Sequence, residues 1–210
     1  MRNPWKEIDL HDYETHMSLE HVRQLQAMNQ MMKEQFSSYD AESVMILGIA
    51  GGNGLEHIDK RKIRCVYGVD INPEYLKACS TRYPDLAQIF RPLCLDLSDR
   101  SLQLPHTDLL VANLLIEYIG YGCFQNAVKA ADPKYVSCII QINTDASFVS
   151  ESPYLHIFDR LDEIHHQMRA EELLRSMLEI GYQSGWKEKK DLPNGKRFIR
   201  LDFIKQDHSV

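Results

Sequence analysis

Short apolar runs alternate with polar, helix-compatible stretches through the middle of the chain. The runs are SVMILGI (43–49), RCVYGVD (64–70), IFRPLCLD (89–96), DLLVAN (108–113) and YVSCIIQIN (135–143), most of them closing on Asp or Asn. Between them GLEHIDKR, NPEYLKACSTRY, DRSLQL and YGCFQNAVKAA fit helices, and Pro73 stands near a first turn, where its missing N–H costs nothing. Short strands alternating with helices predict a parallel sheet with crossover helices on its faces.

The flanks carry other patterns. Upstream, SLEHVRQLQAMNQMMKEQF spaces Leu19, Val22, Leu25, Met28, Met32 and Phe36 at intervals of three and four, which predicts one amphipathic helix capped by Ser18. Downstream, RLDEIHHQMRAEELLRSMLEIGY predicts a long helix that buries Leu161, Ile164, Met168, Leu173, Leu174, Met177 and Leu178 and ends at Gly181. GWKEKKDLPNGKRFIRLDFIK then reads as two strands joined at Pro193-Asn194-Gly195, the Asn-Gly pair supplying positive φ. The fold class is α/β, a doubly wound, mostly parallel sheet with an antiparallel C-terminal hairpin. Residues 1–40 form an N-terminal helical extension and residues 41–210 one domain.

Composition narrows the function. With 44% hydrophobic and 26% charged residues the chain reads as an ordinary globular protein, and no run reaches the ~18 to 20 apolar residues of a membrane span. MRNPWKEIDLHDYE lacks the apolar core of a signal peptide, so a cytoplasmic location is expected. A net charge of −6 disfavours nucleic acid as a partner. Cys65, Cys79, Cys94, Cys123 and Cys138 include no C-x-x-C pair, and most are expected as small buried hydrophobes in or beside strands.

MILGIAGGNG (45–54) packs four glycines behind the first predicted strand and raises the question of which ligand needs bare backbone there. A P-loop fails, because no Lys or Ser/Thr follows. A dinucleotide fingerprint matches poorly, because His57 stands where a third glycine should let helix and strand touch. With an NAD enzyme disfavoured, the remaining design brings Gly52 and Gly54 close to an amino-acid moiety and a ribose.

At this point the stretch resembles motif I of the class I S-adenosylmethionine-dependent methyltransferases. Aligned on Gly54, the motif's glycines fall at Ala50, Gly52 and Gly54 and its acidic residue at Gly48, so two positions depart from the pattern. The order of elements over roughly residues 40 to 205 agrees with that family. The resemblance implies a seven-stranded sheet of order 3-2-1-4-5-7-6 and S-adenosyl-L-methionine as cofactor. It assigns Gly48, Ala50, Gly52 and Gly54 to the cofactor loop. Asp70 with Ile71 goes to the ribose, Asp96 with Leu97 to the adenine, and Asn113 to the tip of the fourth strand.

Methyl transfer asks for position and a dry site, and for a base only when the acceptor arrives protonated. Glu117, Tyr118, His16 and His165 are the catalytic candidates, and Tyr13, His16 and Tyr118 the candidate substrate contacts. No metal is expected, since His165 has Arg169 rather than a second histidine four residues on. Asn113-Leu114-Leu115-Ile116 replaces the Asn-Pro-Pro-Tyr type of tetrad that holds a flipped base, which favours a small-molecule acceptor. A protein that binds the nucleoside without turnover, or a polyamine-synthase-like relative, fits the same stations. Against the second stands the lack of an aspartate-rich segment beyond Asn113. The oligomeric state is left open, a homodimer included.

Overall fold

The computed structural model describes residues 3–99, 101–143 and 149–206. Five parallel strands form from the apolar runs, four of them largely covered on both faces and the third an exposed edge: β1 (Ser43–Leu47), β2 (Cys65–Asp70), β3 (Phe90–Cys94), β4 (Leu109–Asn113) and β5 (Tyr135–Ile142), with Arg91, Pro92 and Cys94 of β3 exposed. β6 (Tyr182–Asp191) and β7 (Arg197–Lys205) complete a seven-stranded sheet of order β3-β2-β1-β4-β5-β7-β6, with β7 antiparallel to both neighbours. The expected order and hairpin are those observed. β6 is the exposed outer edge, and its lysines and the bulge between Ser184 and Trp186 discourage further pairing.

Alternation along β1 divides the core in two. Val44 and Ile46 face α2 (Gln24–Ser37) and α3 (Pro73–Arg82), joining Met28, Met32, Phe36, Leu76 and Cys79. Met45 and Leu47 face the other way, toward Phe124 and Val128 of α4 (Ile116–Ala131) and Leu173 and Met177 of α5 (Ala170–Glu179). The order reverses between β1 and β4, so their tips part at the place where α/β sheets take ligands.

Several expected elements differ. The upstream helix is two: α1 (Leu10–Ser18), capped by Asp9, and α2, so Ser18 closes a helix instead of opening one. Leu19 and Val22 lie in the intervening turn, where Val22 is fully buried and Arg23 takes φ +50°. GLEHIDKR supplies only a 3-10 turn at Leu55–His57. DRSLQL forms no helix over its described residues; Asp99 accepts from the Ser101 N–H in a local turn, and Arg100 lies outside them. The long C-terminal helix is a 3-10 segment (Leu155–Glu163), a break, and α5. Leu161, Met168, Leu173 and Met177 are buried as expected, but Leu178 is 59% exposed because α5 is short and turns that position outward. Gly181 takes φ +86° behind α5; in the hairpin turn Gly195 alone has positive φ, Asn194 not sharing it. All five cysteines are free thiols, yet only Cys79 and Cys138 are buried, Cys94 is exposed, and Cys79 and Cys123 lie on helices.

Candidate active-site cleft

The loop after β1 shows which residues need bare backbone. Gly48 takes φ +67°, and a Cβ there would meet Leu115 Cδ1 at 3.0 Å. Ala50 holds φ +47° despite its side chain, a strained choice of the kind found at ligand sites. Its N–H donates to Asp70 Oδ2 at 2.9 Å, and its carbonyl accepts from Cys79 Sγ at 3.0 Å. Gly52 and Gly54 are not among the residues that line the cleft over the strand tips. A Cβ on Gly52 would meet Leu55 and Tyr83 at 2.9 Å, and one on Gly54 would meet Met32 at 2.9 Å. Those two glycines let α2 and α3 close on the loop.

A cleft opens over the strand tips and brings together Gly48, Ala50, Asp70, Ile71, Asp96, Leu97 and Asn113. Asp70 is 8% exposed, with Oδ1 accepting the Asn72 N–H at 2.9 Å and Oδ2 that of Ala50. Each oxygen therefore keeps a lone pair for a ligand donor. Burial raises the Asp70 pKa above the usual carboxylate value, the backbone donors only partly offsetting it. Asp96 caps its own turn, accepting from Ser98 N at 2.9 Å and Ser98 Oγ at 2.6 Å, and remains exposed. The Asn113 carboxamide is committed behind the sheet: it exchanges two hydrogen bonds, of 3.0 and 2.9 Å, with Gln35 of α2.

A second cavity adjoins the first, and Trp5, Tyr13, Leu114 and Tyr118 line both. It collects His16, Glu117 and His165. Glu117 opens α4 and is 3% exposed; Oε1 accepts the Gln141 N–H at 2.7 Å, and Oε2 has no partner among the described residues. Burial pushes its pKa up to about 7, against weaker opposing backbone hydrogen bonds. His16 pairs Nδ1 with Ser152 Oγ at 2.7 Å, and burial lowers its pKa to about 4. Burial also lowers that of His165, while the Tyr118 hydroxyl is held protonated far above the usual range. Edge-to-face contacts chain Tyr13, Trp5, Tyr118 and His165 into an aromatic wall.

The N-terminal segment closes this wall. Asn72 donates to the Trp5 carbonyl at 3.0 Å and Tyr75 to that of Ile8 at 2.8 Å, and Arg82 grips Glu14 at 2.5 and 2.7 Å. Trp5, Gln24, Gln141 and Phe158 were not legible as site residues. Gln141 alone left a signal, a lone amide inside the apolar run of β5. Among the described residues, no cluster of three or more His, Cys, Asp or Glu is arranged to hold a metal, and no helix is long and apolar enough to cross a membrane.

No protein-family model and no curated protein matches the sequence. Solved structures do match. The N-methyltransferase NodS from Bradyrhizobium japonicum, in complex with S-adenosyl-L-homocysteine, aligns over 98% of this chain and 100% of its own, at 12% identity and a TM-score of 0.68. Magnesium protoporphyrin IX methyltransferase from Synechocystis, also with that nucleoside bound, aligns over 92% of this chain and 87% of its own, at 9% identity and a TM-score of 0.62. The (4+2)-cyclase SpnF aligns over 85% and 80%, at 10% identity and a TM-score of 0.64. The chain has the Rossmann-like methyltransferase fold. A cyclase on the same fold means that activity has to be argued from the site.

Proposed function

We propose that the chain is an S-adenosylmethionine-dependent methyltransferase acting on a small molecule. The observation that carries this is Asp70: a buried carboxylate at the tip of β2, oriented by two backbone donors, with one lone pair per oxygen left toward the cleft. Such a group suits the vicinal hydroxyls of a ribose. A dinucleotide is less well served. Its pyrophosphate wants a helix N-terminus, whereas here the loop runs into a single 3-10 turn and the Gly52 and Leu55 N–H groups are spent on the loop itself.

In this reading Gly48 and Ala50 lie along the amino-acid half of the cofactor, Ile71, Asp96 and Leu97 along the adenine, and residues 1–40 act as a lid on the domain formed by 41–210. Bound S-adenosylmethionine supplies an electrophilic methyl group on a sulfonium. The chain supplies the rest: the aromatic wall excludes water, Leu114 and Tyr118 mark the passage between the cavities, and Glu117 receives a proton from the acceptor at Oε2. Calorimetric titration of ligand-stripped protein with S-adenosylmethionine, S-adenosylhomocysteine and NAD tests the reading. Micromolar binding of the sulfur nucleosides alone is expected; binding of NAD alone, or of none of the three, would sink it.

A further inference from the structure

The second cavity holds a buried carboxylate oxygen that the chain does not satisfy in either protonation state. As an anion, Glu117 Oε2 lacks a donor; as Oε2–H it lacks an acceptor, since no partner lies within reach among the described residues. Leaving such a group buried and unpaired is unfavourable, so its retention points to a ligand that completes it. The titratable groups around it come from every packed element: Tyr13 and His16 of α1, Tyr118 and Tyr121 of α4, Cys138 of β5, and His165 beyond the 3-10 segment, with Lys196 acting on both histidines. Burial lowers the pKa of both histidines, and no cation among the described residues contributes to that of Glu117.

We infer that this cavity takes a protonated amine, its ammonium against Glu117 Oε2 and its carbon skeleton against the rings of Trp5, Tyr13, Tyr118 and Phe158. The inference rests on the proposed methyltransferase reading, because the cavity belongs to an acceptor only if the first cleft holds the methyl donor. A neutral alcohol would leave the carboxylate charge buried beside aromatic faces that are themselves negative, and an anion would be repelled. A cation cancels the charge and is attracted by the rings. The same oxygen then prepares the nucleophile. One N–H bond breaks with its electron pair staying on nitrogen, the proton forms an O–H bond at Oε2, and an ammonium–carboxylate pair becomes a neutral amine beside a neutral acid. The freed lone pair is what an ammonium lacks for attack on carbon.

Calorimetry at pH 8 on the protein without added nucleoside tests this, with benzylamine and n-butylamine each set against its alcohol. The amines are expected to bind about tenfold tighter or better, a margin that Glu117→Gln removes. On the wild type, 13C NMR of glutamate-labelled protein should show the Glu117 carboxyl titrating about one unit lower or more with benzylamine present, a readout that stands even if the variant fails to fold. Amines binding no tighter than their alcohols, or an unmoved Glu117 titration, would overturn the inference. A parallel titration with S-adenosylhomocysteine separates the two failures: nucleoside binding without amine preference sinks the amine alone, and amine preference without nucleoside binding sinks the methyltransferase reading.

Discussion

Two buried carboxylates line the adjoining cavities, and their surroundings differ. Asp70 has a backbone donor on each oxygen, so it is oriented toward the cleft before any ligand arrives. Asp70→Ala should weaken S-adenosylhomocysteine binding by about 1.5 to 3 kcal/mol through loss of a charge-assisted contact, read by calorimetry; unchanged affinity would remove Asp70 from the ribose. Glu117 has a donor on one oxygen only, and the consequence is a pH dependence. Its pKa is 4.5 unfolded and about 7 folded, so the folded chain binds more protons across that window and loses stability as pH rises through it, by about 3 kcal/mol in all. His16 has the opposite slope. Lowered from 6.5 to about 4, it contributes stability that is lost as pH falls through that range. The two oppose each other between 4.5 and 6.5, and above that only Glu117 acts. Glu117→Gln should therefore raise the melting temperature at pH 8 well beyond any change at pH 5; equal shifts at both pH values would contradict the assignment.

Elements decide which face of a periodic pattern is used. The late apolar pattern places Leu173, Met177 and Leu178 in one expected buried set, yet α5 buries the first two completely and leaves Leu178 outside. Leu173→Ala should cost about 2–5 kcal/mol in urea denaturation, and Leu178→Ala within about 0.5. The glycine loop offers a second test at this scale. Gly52 sits at φ +83° with Leu55, Tyr83 and Cys79 closing on its Cα, so Gly52→Ala meets both backbone strain and packing from α3. A loss of about 1–3 kcal/mol is expected, with cofactor affinity of the folded fraction kept, since the added methyl group would point at Leu55, Tyr83 and Cys79.

Across the whole molecule, a polar chain runs from the tip of β4 along the α2 face of the sheet to β7. Asn113 pairs with Gln35, Gln35 donates to Ser137 at 2.9 Å, and Ser137 donates to Asp202 at 2.5 Å. Asp202 also accepts from Tyr39 at 2.7 Å and forms a buried ion pair with Arg200 at 2.6 Å. Asp202→Ala should cost about 3–5 kcal/mol, because Arg200, 2% exposed, would keep its charge without this partner. Replacing both, Arg200→Met with Asp202→Leu, should cost less than Asp202→Ala alone; a larger cost would mean that the pair does more than satisfy itself. By itself the sequence determined the sheet, its C-terminal hairpin and the strand-tip positions, because alternation, run length and turn residues are local properties that a parallel sheet covered on both faces imposes on its strands. Through the resemblance it also determined the strand order. Only the tertiary structure decided that side chains from α2 and α3 close on Gly52 and Gly54, that the Asn113 amide is spent on Gln35, that the flanking helices break, and that Trp5, Gln141 and Phe158 share a cavity with Glu117. Those outcomes depend on which distant segments close over a residue, and burial by such segments is what turns Glu117 from an acidic first turn of a helix into a carboxylate with an unfilled oxygen.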